Sequence, residues 1–243
     1  MSIFGVLLAI LLGRETFSKL LARLASPKGE SFLLSISLVA CSVIIGLKLI
    51  FGGSNFYENF LNENSVVEWL TALFLLLSAY FSSQIGLSKG SPFPRWIFLA
   101  LAFIFFIAGM EELSWGQMIF NWDSPKEFAA LNSQSETNIH NLHGINKLID
   151  PTLLAFSSTA AFFSLKECKT NSWPILNHLR FSRGLFPMFF MASIFCTLTI
   201  CFPGRVFLGR IDQDIEWAEF LISGSIFMQT ILLIARSSRK ARN

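Results

Sequence analysis

Charge is scarce in this sequence. Only 14% of its 243 residues are Asp, Glu, Lys or Arg, against roughly a quarter in a soluble globular domain. That shortage excludes a water-soluble domain, and a hydrophobic content of 53% with a mean hydropathy of +0.55 agrees. Histidine is scarcer still: there are 3, none after His178, and no HExxH pattern. The four cysteines, Cys41, Cys168, Cys196 and Cys201, lack the spacing of a metal site or a disulfide framework and are expected to act as small apolar residues. An ordinary signal peptide is also missing. In "MSIFGVLLAILLGRETF" the positive charge follows the apolar run, and no small-residue cleavage site appears.

Long apolar runs are abundant. A hydrocarbon core of about 30 Å needs about 20 mostly apolar helical residues. Segments 32–52, 66–87, 95–115, 150–166, 184–203 and 215–235 meet that length. The sequence therefore predicts an all-α polytopic transmembrane bundle of about six spans, one domain over residues 31–236, followed by a basic tail at 237–243. Residues 1–30 form a separate N-terminal segment whose first dozen residues are too short to span. It is expected to contain a helix lying at the interface, with Leu20, Leu21 and Leu24 toward lipid.

Basic residues set the orientation. Most of the 19 precede the first span, lie between spans two and three or four and five, or close the chain. Both termini are thus expected on the cytoplasmic side. All 16 acids except Glu15, Glu30 and Glu167 then fall toward the outer face. Several belong there as helix-starting groups: Glu68, Asp150, Asp214, Glu216 and Glu219 sit in or near first turns, where a carboxylate meets free N–H groups. Asp150 with Pro151 is expected to be an N-cap and first-turn pair.

Glu111 and Glu112 break that rule. They end the run "RWIFLALAFIFFIAGM", at the C-terminal end of span three, where the helix dipole disfavours anions. At about 1.5 Å per residue they lie about 25 Å beyond Arg95, just inside the hydrocarbon edge. Carboxylates at that depth face a wet cavity or a partner. Adjacent helical positions point about 100° apart, so one is expected to face a cavity and the other a neighbouring helix.

The outer loop, residues 116–149, is expected to be folded. Ser124, Pro125 and Glu127 read as a capping box opening a short interfacial helix. "SQSETNIHNLHGI" reads as a second helical piece with Glu136, His140 and His143 on one face. Imidazole with carboxylate suits zinc or a similar divalent ion. The expected ligands are His140, His143 and Glu111, with Glu136 behind them and Glu112 as the general base. The alternative is polar packing among the loop amides. Glu68, Ser114, Gln117, Gln134, Glu136, Asn138, Asn141, Glu216 and Glu219 complete the expected polar cavity. Trp69, Trp115, Trp122 and Trp217 are expected to form an aromatic belt.

Together, "VEWLTALFLLLSA", "GMEELSWGQMIF" and "NSQSETNIHNLH" resemble a group of multi-pass bacterial membrane proteins carrying EE-(I/L)-SWGQ and Q-x-E-x-N-(I/L)-HN segments. The resemblance covers residues 64–145 and implies the bounds of a site and a bacterial inner-membrane location, without implying a reaction. Comparison with two membrane hydrolase families fails on their ligands. Position 116 is Gly where CAAX-protease-like enzymes have the Arg of EExxxR, and ceramidase-like enzymes need a late HxxxH.

Three function classes follow. The first is a metal-assisted hydrolase or transferase acting on a lipid or lipid-linked substrate. The second is a non-catalytic membrane subunit or assembly factor, and the third a cation- or proton-coupled transporter. Membrane lipids are the expected partners in each, and no nucleic acid is expected.

Overall fold

A computed structural model of the chain describes residues 19, 23–24, 26, 28–61, 65–88, 94–132, 135–165, 181–203 and 211–240. Most of the expected N-terminal interfacial helix, His178 and much of the basic tail lie outside these residues. Among the described residues the regular structure is helical: α1 Gly29–Phe51, α2 Asn55–Leu61, α3 Val66–Leu87, α4 Arg95–Glu112, α5 Gln117–Phe120, α6 Lys126–Ala129, α7 Asn146–Leu165, α8 Phe186–Cys201 and α9 Ile215–Lys240. Among the described residues five helices are long and apolar enough to cross a membrane, or up to six if α4 and the segment Ser114–Phe120, bent by 64° from it, count as one span.

The arrangement follows from where each helix is apolar. Most of α9 is buried, and it forms the centre of the bundle, with α3, α8 and part of α7 packed around it. Phe74 of α3 stacks on Phe227 of α9 and tilts against Phe220. Helix α1 is peripheral: Leu38, Val39, Leu49 and Ile50 are exposed, as are Phe103 and Ile104 of α4. Large apolar side chains facing outward suit lipid as the surrounding solvent.

Two local features hold the bundle near Glu112. Ser65 accepts a hydrogen bond from the Glu68 amide at 3.2 Å and so starts α3 with Glu68 in its first turn. Gly109, one turn before Glu112, lets α4 approach α3 closely; a Cβ there would stand 2.9 Å from Leu76 Cγ and 3.3 Å from the Ala72 carbonyl oxygen. At the opposite end, Glu30 accepts from the Ser182 hydroxyl and, at 3.1 Å, from the Gly184 amide, and pairs with Arg236 at 3.1 Å.

Four local expectations need correction. Leu24, expected toward lipid, is buried in the core. Helix α7 begins at Asn146, so Asp150 is not its N-cap and Pro151 lies inside the helix. Ser124 does not cap α6, whose preceding residue Pro125 makes no side-chain cap bond. Its hydroxyl instead meets Thr137 at 2.8 Å and Gln117 at 3.3 Å. Nor is 135–144 helical. It is a series of bends and turns, tied by a bridge between Asn132 and Leu142.

Candidate functional site

The end of α4 is shaped by three successive residues in the left-handed region: Ser114 (φ 45°), Trp115 (φ 54°) and Gly116 (φ 98°). The Gly116 amide donates to the Leu113 carbonyl at 2.8 Å, closing a tight turn of the mirror-image type. Glycine accepts such a backbone freely, whereas each of the other two costs on the order of 1–2 kcal/mol. Side-chain bonds offset that cost. Ser114 donates to Glu136 at 2.6 Å and accepts from Asn138 at 3.1 Å, while Trp115 Nε1 donates to Glu111 Oε1 at 2.5 Å.

These bonds also join the two motif segments. Glu111 Oε2 accepts from the Ile139 amide at 2.6 Å and the His140 amide at 3.1 Å, with His140 Nδ1 at 3.5 Å. Gln117 Oε1 accepts from the Thr137 amide at 2.8 Å. Asn138 donates to Glu136 at 2.8 Å, and Asn132 donates to the Asn138 carbonyl at 2.8 Å. Residues 114–132 and 135–143 are thereby held as a cap on the end of α4. Glu111, Ser114, Gln117, Glu136 and Asn138, expected as cavity groups, are the ties of that cap.

Glu112 has different neighbours. Its carboxylate feels the charges of Glu219, Glu216 and Glu68, and of Glu111 beside it. Glu219 in turn feels His140 and Asp150. The structure thus brings carboxylates of α3, α4 and α9 together, with His140 near Glu219. Glu68, Glu112, Glu216 and Glu219 are each half-buried.

The metal set expected from the loop is not assembled. His143 is exposed, and both Glu111 oxygens accept bonds from Trp115 and the 139–140 amides. The face shared by Glu136, His140 and His143 does not exist, because that stretch is not a helix. Among the described residues no group of three His, Cys, Asp or Glu stands placed to hold an ion. Asn141, within the cap, is half-buried, and Gln134 lies outside the described residues.

Burial alone would lower the pKa of His140. The hydrogen bond to Glu111 and the charges of Glu219, Glu111 and Glu136 outweigh it and raise the imidazole above its ordinary value. A group whose folded value is raised stabilises the fold fully below its unfolded value, about pH 6.5. That contribution is lost as pH rises through the folded value. His140→Gln is therefore expected to lower the melting temperature more at pH 5.5 than at pH 8.5. A difference that does not change with pH would show that the imidazole charge plays no part in holding the cap.

Sequence reasoning missed a buried ion pair. Lys48 Nζ lies 2.8 and 2.6 Å from the two oxygens of Asp214, whose side chain is fully buried. Tyr57 donates to Asp214 at 3.2 Å, and Trp217 Nε1 donates to the Tyr57 hydroxyl at 2.9 Å. Trp217 is thus a core residue and not part of an aromatic belt. Lys48 sits in the last turn of α1 and Asp214 just before α9, so each charge also complements its own helix dipole. A signal was available: Lys48 is the one charged residue between Ser31 and Phe51.

Comparison of the chain with family models, with curated proteins and with solved structures finds no match.

Proposed function

We propose that this chain is a membrane-embedded hydrolase or transferase acting on a lipid or lipid-linked substrate. In this reading the Glu112 end of the bundle lies at the outer headgroup level of a bacterial inner membrane, and both termini are cytoplasmic. One observation carries the proposal: Glu112 lies within electrostatic reach of Glu68, Glu216 and Glu219, and Glu219 within reach of His140. Carboxylates and an imidazole in unlike surroundings are the material of general acid–base catalysis. Glu112 is assigned as the base that takes a proton from the attacking hydroxyl or water. His140 is assigned as the group that returns one to the leaving oxygen.

Mutual repulsion within the carboxylate group calls for protons, a divalent ion such as zinc or a cationic substrate group. A divalent ion would have to be held by these carboxylates, since Glu111 and His143 are otherwise engaged or turned away. Metal analysis of the purified protein tests that part separately.

The enzyme assignment is tested by lipid composition. Lipids extracted from source cells lacking the gene should differ in one class from those of cells carrying the wild-type protein. Glu112→Gln and His140→Ala should resemble the deletion. Identical lipids in all four strains would overturn the enzyme assignment and favour a partner-binding subunit.

A further inference from the structure

The cap has its polarity inverted. Ser114, Glu136 and Asn138 are buried, at 0%, 8% and 1% exposure, and bonded to one another. Several large apolar side chains are exposed instead: Phe120 is 71% exposed and Leu131 61%, and Ile119, Trp122, Ile139 and Leu148, near the start of α7, are exposed too. Phe120 and Trp122 stack on each other with ring centres 5.6 Å apart. A loop projecting into water would be expected to show the opposite arrangement, because exposing large apolar side chains to water costs free energy.

We propose that the cap is a lipid-binding surface lying flat in the headgroup region of the leaflet, with this apolar face against the upper acyl chains. The occupant is the bilayer that the bundle itself spans. Three observations favour lipid over a second copy of the chain. The 64° bend after Glu112 turns the segment away from the α4 axis, as an in-plane element requires. Large apolar side chains are exposed on α4 as well, at Phe103 and Ile104. Exposed Asp123, Lys126, Glu127 and Lys147 are interspersed with the exposed apolar residues of the cap. Charge of that density is depleted from the core of a protein interface, whereas the headgroup layer accepts charges, aromatic rings and apolar side chains together. The proposal requires that the helices span a membrane, and it does not depend on any catalytic role for Glu112.

Nitroxide labels on single cysteines test it in phosphatidylethanolamine–phosphatidylglycerol vesicles, with the native cysteines replaced. Labels at Phe120→Cys and Leu131→Cys should be more accessible to oxygen than to a water-soluble nickel complex, and Asp123→Cys the reverse. Nickel dominance at 120 and 131 would overturn the proposal, and so would spin–spin broadening there, which would mean that a second copy covers the face. If the cysteine-free chain does not fold, the native chain serves. Quenching of tryptophan emission by brominated phospholipids should fall in Trp122→Phe. An unchanged quenched fraction would place Trp122 out of lipid and overturn the proposal. Glu112→Gln should leave both measurements unchanged, which separates this outcome from failure of the enzyme assignment.

Discussion

Lys48→Met is expected to destabilise the protein by about 3–5 kcal/mol, the usual cost of removing one partner of a buried pair. The reason is what it leaves behind. Asp214 is fully buried, and both of its oxygens are held by Lys48. Without the ammonium, only the Tyr57 hydroxyl at 3.2 Å remains of the contacts described above. The buried carboxylate then loses its charge partner and is driven toward taking up a proton. A second variant separates charge from packing. The double change Lys48→Met with Asp214→Asn removes both charges and should recover much of the loss, since the pair as a whole contributes far less than either half costs when orphaned. Thermal unfolding in detergent measures both. A single variant as stable as wild type, or a double variant no better than the single, would show that the pair is not the joint between α1 and α9.

The second large effect is a difference of sign. Glu111→Gln is expected to lower stability by about 2–3 kcal/mol, because charge-assisted bonds are the strong ones. Glutamine offers one acceptor oxygen where Glu111 uses two, toward Trp115 on one side and the 139–140 amides on the other. Its amide group would face one of those donors. Glu112→Gln should do the reverse. Removing a charge that sits among Glu68, Glu216 and Glu219 relieves repulsion, so the melting temperature should hold or rise. The same variant should abolish any activity that needs a carboxylate there. Adjacent glutamates would thus separate into a structural one and a chemical one. Two melting curves decide it: shifts in the same direction for both variants would sink the assignment.

That division was partly legible in the sequence, for a geometric reason. Neighbouring helical residues cannot face the same way, so Glu111 and Glu112 were bound to have different surroundings. Which one faces the other carboxylates was not legible, because the answer depends on the turn at Ser114–Gly116. The helices were readable because apolar length is a strong signal, and α3 follows its expected span residue for residue. The cap was misread for the opposite reason. Its helical spacing of Glu136, His140 and His143 was a coincidence within a short polar stretch. Asn132, Glu136 and Asn138 bond locally to side chains and backbone and so compete with helix formation. The Lys48–Asp214 pair joins residues 166 positions apart, and no local pattern announces such a partner. Lys48 alone, stranded in an apolar helix, was the available clue.

The cap has few backbone bonds to helices or strands of its own. Apart from the Asn132–Leu142 bridge and scattered turns, it is fastened by side chains, chiefly those of Glu111, Ser114 and Gln117. A unit fastened in this way can detach without disturbing the helical hydrogen bonds of the spans, so its opening is a sub-global event with its own, smaller free energy. The amides of Ile139 and His140 are the hinge pins of that event. Their exchange with solvent deuterium should run orders of magnitude faster than that of the α9 core, and its rate should follow the state of the Glu111 carboxylate. The carboxylates around Glu112 would then become exposed at a frequency of their own, independent of whether the bundle unfolds.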